Sequence, residues 1–152
     1  MKIIRIIAFA LAWLALAPLA APLVAHADDD DDAPKVTRSS KNLPELVLGS
    51  ADSSYAVNRT DFELVAGQGY RWKISSHGGF EYKFMTDLWR NVWIDQIVID
   101  DLEVHMAGAP AWLEFDDAGT IQVQFHTVRP GEYTWSVPDL ADKGMKGRIT
   151  IK

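Results

Sequence analysis

Apolar and polar positions alternate with a period of two over most of the chain from Pro44 onward, and no stretch there sustains a helical period. In "DFELVAGQGYRWKISS" the apolar positions are Phe62, Leu64, Tyr70, Trp72 and Ile74, on either side of the Gly67/Gly69 turn, which predicts two strands sharing one buried face. "ELVLG" predicts a strand before them and "FEYKF" one after, while "MTDLWRNVW" reads as one turn of helix or a loop. "DQIVIDDLEVH" runs through Ile97, Val98 and Ile99, turns at Asp100-Asp101 and returns through Leu102 and Val104. "AWLEF", "GTIQVQFHTV", "GEYTWSV" and "GRITIK" complete the set, with turns at Asp117-Ala118-Gly119 and Arg129-Pro130-Gly131. Many short strands without a repeat predict an all-β sandwich, with Tyr70, Trp72 and Trp135 filling its interior.

The first residues break this pattern. "MKIIRIIAFALAWLALAPLAAPLVAHA" carries Lys2 and Arg5 ahead of an apolar run and ends on Ala25-His26-Ala27, which predicts a signal peptide over residues 1–27, cleaved after Ala27. Pro18 and Pro22 interrupt the run and argue against a retained membrane anchor. Five consecutive aspartates follow; they repel one another and bury nothing, so residues 28–43 are expected to form an acidic, flexible leader before a single domain over residues 44–152.

Charge and cysteine usage narrow the partners. Without Lys2 and Arg5 the basic residues number 13 against 21 acidic ones, a net charge of about −8. Phosphate backbones are repelled by such a chain, so nucleic acid is not an expected partner. There is no cysteine, which excludes thiol chemistry and leaves the hydrophobic core to hold an exported domain together. The Ala/Leu-rich leader and the lack of disulfides point to the bacterial periplasm. No Gly-x-Ser-x-Gly elbow or ordered Ser-His-Asp set is present, and Asp100-Asp101 and Asp116-Asp117 read as turn chemistry, so the chain is not expected to be an enzyme.

"F-E-L-x-A-G-x-x-Y-R-W", then "G-T-I-x-V-x-F-x-x-x-x-P-G-E-Y-x-W" and "G-M-K-G-x-I-x-I", running from about Asp61 to Lys152, resembles the cupredoxins, and the segment "RPGEYTWSVPDLADKGMKGRITIK" resembles their plastocyanin-type C-terminal ligand loop. The resemblance implies a cupredoxin-like Greek-key β-sandwich. It also implies a copper held by a first His and by a Cys, a His and a Met on the last loop, a set in which two imidazoles and a thiolate suit both oxidation states. Laid on this sequence, the thiolate falls at Val137, the loop imidazole at Leu140 and the first His at Phe80 or Glu81, and only Met145 matches. A type 1 copper centre is therefore not expected, and Val137 and Leu140 are expected to be sealed as core. A looser similarity of "GGFEYKFMTDLWRN" to cupredoxin-like domains of bacterial periplasmic iron- and copper-uptake proteins, including the EfeO-type domain, implies an acidic residue in the first-His place, here Glu81, followed by Leu88 and Arg90.

These readings set the candidates. Glu81, Asp87 and His77 form a hard ligand set suited to Fe(II) or Cu(II), while Met85, His105, Met106 and Met145 form a soft one suited to Cu(I). No two histidines are spaced as a ligand pair, so any metal site must assemble across the fold. Trp89, Arg90 and Trp93 have the composition of a protein-binding surface. The expected function is a periplasmic accessory protein that handles iron or copper and passes it to a membrane permease or another periplasmic protein, without being embedded in the membrane after cleavage. The alternative is a metal-free β-sandwich that binds another exported protein.

Overall fold

The structure is a computed structural model and describes residues 35–152; the signal peptide expected over residues 1–27 and the aspartate run lie outside the described residues. Among the described residues, eleven strands form two mixed sheets. One sheet has the order β1 (Lys41–Asn42), β4 (Gly69–Ser76), β9 (Gly119–Thr127), β6 (Val92–Ile99), β7 (Leu102–His105), and β2 (Leu46–Leu48) also pairs with β4. The other has the order β3 (Asp61–Leu64), β11 (Lys146–Ile151), β10 (Gly131–Ser136), β5 (Tyr82–Thr86), β8 (Leu113–Phe115). Their inner faces meet in one aromatic core, and the fold is an all-β, cupredoxin-like sandwich.

The period-two alternation supplies that core. In β4 the buried positions Tyr70, Trp72 and Ile74 alternate with exposed Arg71 and Lys73, and in β3 Phe62 and Leu64 do the same. β3 and β4 share a buried face, as expected, but from opposite sheets: the Phe62 and Trp72 rings meet edge-on across the core, 4.7 Å between centroids. Trp72 touches Phe84 and Trp89 in the same manner, and Phe84 stacks on Trp135 at 5.8 Å. The Asp100-Asp101 turn joins β6 to β7 with positive φ at both residues, 47° and 63°, the conformation whose twist matches a two-residue hairpin.

The ordered sheet starts before the expected boundary at residue 44. Gln68, fully buried in the Gly67/Gly69 turn, accepts the Thr37 backbone N–H on Oε1 at 2.7 Å and donates from Nε2 to the Ser39 carbonyl at 2.9 Å. β1 then pairs in parallel with β4, and the Leu43 N–H donates to the Arg71 carbonyl. One amide side chain thus recruits the end of the acidic leader to the sheet, because it supplies the hydrogen bonds that segment lacks on its own.

Candidate functional site

The copper-loop position is closed. After β10 the chain makes a 3-10 turn over Pro138–Lys143, then reverses at Gly144 with φ 101°, a conformation that suits glycine. The Val137 N–H donates to the Met145 carbonyl at 2.9 Å and the Leu140 N–H to the Val137 carbonyl at 2.9 Å, so the loop folds back on itself. Val137 is buried, Leu140 packs against the core, and Met145 is 0% exposed. An apolar isopropyl and an isobutyl group stand where a thiolate and an imidazole are needed, so these residues do not fit a type 1 copper. Met145 fills the core as an unbranched side chain can.

Glu81 has a different setting. It lies immediately before β5, and Glu81, Lys83 and Met85 project from the outer face of that strand while Tyr82 and Phe84 point inward. β8 runs antiparallel beside it, with Lys83 opposite Glu114 and Tyr82 opposite Phe115; continuing this register by one pair sets Glu81 opposite Asp116. One carboxylate oxygen from each of Glu81, Glu114 and Asp116 lies within 4.8 Å of the others, all three exposed. The Trp112 indole N–H donates to Glu114 Oε2 at 2.7 Å, and the Lys83 ammonium sits 4.8 Å from the Trp112 ring centroid.

The carboxyls do not titrate alike. The hydrogen bond to Glu114, followed by the negative charges of Glu114 and Asp116, pushes Glu81 up from its ordinary value of 4.5. The Trp112 N–H, followed by the hydrogen bond from Glu81, holds Glu114 below that value. The cluster therefore concentrates negative charge that a cation would relieve.

The other predicted residues are not brought to this cluster. Met85 is four residues further along β5, about 13 Å from Glu81 by strand rise, and together with Asp87, Arg90 and Thr134 it lines a separate cleft of about 450 Å³. Asp87 Oδ1 accepts the Thr134 backbone N–H at 2.8 Å, so it staples the turn to β10. His77 is exposed after β4, where its backbone N–H donates to the Leu48 carbonyl. His105 lies on β7 with Nε2 3.3 Å from Glu103, and Met106 is half-buried beside a groove of about 250 Å³. The soft set is thereby dispersed: Met145 in the core, Met85 on β5, His105 and Met106 at the opposite sheet's edge.

The expected aromatic surface also divides. Trp89 is 2% exposed and packs edge-on to Trp72 and Phe125, so it belongs to the core and not to a binding surface. The 3-10 turn over Leu88–Arg90 rotates it inward. Trp93, on the outer face of β6, is 70% exposed, and Arg90 is exposed beside the groove that both residues line. Sequence reasoning did not single out the pairing of His126 Nδ1 with Asp95 Oδ2 at 2.9 Å, which forms where a β-bulge in β6 displaces Asp95. Nor did it group Glu114 and Asp116 with Glu81; the available signal was the shared face of Trp112, Glu114 and Asp116 in "AWLEFDD".

No family model matches the sequence, and a search of curated proteins finds no match. Solved structures do match the fold. A multicopper oxidase from Campylobacter jejuni, described as a metallo-oxidase, superposes with a TM-score of 0.54 at 11% identity, covering 78% of this chain and 31% of that one. A laccase from Pediococcus acidilactici superposes with a TM-score of 0.56 at 15% identity over 93% of this chain and 31% of that one. Auracyanin B, at 18% identity and a TM-score of 0.46, is covered over 93% of its length by 77% of this chain. The chain spans about a third of the length of the multicopper oxidases it matches.

Proposed function

We propose that the protein is an exported, cupredoxin-like accessory protein that handles metal without a type 1 copper centre, and that the metal is held at Glu81, Glu114 and Asp116. The observation that carries this reading is the convergence of three carboxylates around Glu81, which with Phe80 is one of the two residues that the cupredoxin resemblance puts in the first-histidine place. An all-oxygen set favours a hard cation, which puts iron ahead of Cu(I). Three exposed ligands with no enclosing shell suit transient loading, so the protein acts as a carrier in the periplasm and not as an enzyme. It passes the ion to a membrane permease or another periplasmic protein, with Arg90 and Trp93 as the contact surface.

Calorimetric titration with Fe(II), Fe(III), Cu(I) and Cu(II), each under redox control, tests the proposal. Iron is expected to bind and to raise the thermal midpoint, because a ligand that binds only the folded state stabilises it. Glu81→Gln and Asp116→Asn are expected to weaken binding severely. No binding by any of the four ions would overturn the reading.

The exposure of Trp93 beside Arg90 favours a second reading, a metal-free module that docks another exported protein. It predicts that a partner retained by the metal-free protein is lost in Trp93→Ala and kept in Glu81→Gln.

A further inference from the structure

β7 is the outer strand of its sheet, and all four of its residues are exposed. Leu102 and Val104 pair with Ile99 and Ile97 and so point to the same side as the core, yet they are 72% and 49% exposed. The opposite sheet does not extend far enough to cover them. An apolar strand face at an open sheet edge invites a further strand.

The hairpin fixes which backbone groups are available to it. The two-residue turn at Asp100-Asp101 makes Ile99 and Leu102 the hydrogen-bonded pair that closes the hairpin. Alternation then turns the peptide groups of Leu102 and Val104 toward β6, and those of Glu103 and His105 toward the open edge.

The sequence of this edge, Leu102-Glu103-Val104-His105-Met106, is complementary to itself when reversed. With Val104 opposite Val104, an antiparallel pair sets Glu103 opposite His105 and Leu102 opposite Met106. Glu103 and His105 are also the residues whose backbone groups are free, so the two strands exchange hydrogen bonds at the positions where carboxylate meets imidazole. Within one chain these side chains already reach each other, 3.3 Å from Nε2 to Oε2, so both lie on one face in compatible conformations. On the other face Leu102, Val104 and Met106 meet their counterparts and lose water contact.

We infer that the partner of β7 is a second copy of this chain, paired antiparallel about a two-fold axis at Val104 so that the six-stranded sheet continues across the dimer. Donor–acceptor complementarity between the Glu103 carboxylate and the His105 imidazole selects this occupant and this register, since a shift by two residues sets Glu103 against Glu103 or His105 against His105 on the axis. A contact of one short strand from each chain is small, so the dimer is weak and concentration-dependent.

Sedimentation equilibrium of the purified protein from low micromolar to submillimolar concentration tests this. The wild-type mass is expected to rise toward two chains. Val104→Lys places like charges opposite each other on the axis and is expected to weaken dimerisation more than tenfold. His105→Glu sets Glu103 against a glutamate and is expected to weaken it too, and adding Glu103→Lys is expected to restore it. All these side chains lie outside the core, and unchanged near-ultraviolet circular dichroism confirms that each variant folds. A wild-type protein that stays monomeric throughout, or a dimer that persists in Val104→Lys, overturns the inference.

Discussion

Glu81 and Glu114 bring carboxylate oxygens within 4.8 Å of each other on the outer face of β5 and β8, and the Trp112 indole N–H, which donates to Glu114, biases the proton of the pair toward Glu81. Because the Trp112 N–H stabilises the Glu114 anion, the proton belongs on Glu81. Glu81 therefore contributes stability in full below its ordinary value of 4.5, and that contribution is lost as pH rises through its higher folded value.

It follows that Glu81→Gln, which keeps the amide neutral, should melt at a higher temperature than the metal-free wild type at neutral pH. The difference should close as pH falls below 4.5. Adding iron should reverse the order, because only the wild type retains the ligand. Thermal melts across pH with and without iron check both signs; a lower midpoint for the metal-free variant at neutral pH would remove the like-charge argument.

Met145 should behave in the opposite way. Its side chain is wholly inside the core, so Met145→Ala is expected to cost about 2–5 kcal/mol in unfolding free energy through the cavity it leaves. Iron binding to the folded variant should be unchanged. Urea unfolding paired with metal titration separates packing from ligation, and loss of binding in a folded Met145→Ala protein would make the thioether a ligand.

The contrast between these residues indicates what the sequence conveys. Alternation in "DFEL", "YRWKI" and "EYTWSV" identified the inward positions because one-sided burial imposes the period, and the replacement of copper ligands by Val137 and Leu140 was legible as a closed site because both are apolar. Glu81 was legible only as a single position. Its partners Glu114 and Asp116 come to it through the β5–β8 register, and nothing local in either segment specifies which strand lies beside which. The same limit groups Trp89 with Trp93: by composition they read as one binding surface, but a short 3-10 turn buries the first and a strand exposes the second. Gln68 likewise gave no sign that its side chain would anchor Thr37 and Ser39, because a glutamine in a glycine turn looks solvated.

The glycines of the "GMKG" step serve different purposes, and substitution separates them. Gly144 supplies a positive φ, whereas Gly147 is required by close approach: a Cβ there would collide with the Thr60 carbonyl and with Trp135 Nε1, which donates to that carbonyl at 2.9 Å. Since the obstructing atoms are backbone and a buried indole, nothing flexible can yield. Gly147→Ala is expected to destabilise by about 3 kcal/mol, with a blue shift lost from Trp135 fluorescence. A variant as stable as wild type would show that the β3–β11 pair can separate without penalty.

Tyr82 ties the loops at the Glu81 end to the core. Its ring is buried, and its hydroxyl donates to the Ser54 carbonyl at 2.8 Å and lies 3.3 Å from the Gly78 carbonyl. Burial raises its ionisation above the ordinary 10.0, more than the hydrogen bond to Ser54 lowers it. The raised value means that Tyr82 supports the fold fully below pH 10.0 and ceases to do so as pH climbs through the folded value. Tyr82→Phe should therefore cost about 1 kcal/mol at neutral pH, where the Ser54 carbonyl loses its donor. Above pH 10.0 the variant should lose less stability than the wild type, since it has no phenol to ionise on unfolding. Urea unfolding at neutral and alkaline pH measures both effects, and a constant gap between the two proteins would mean that Tyr82 ionises as freely folded as unfolded.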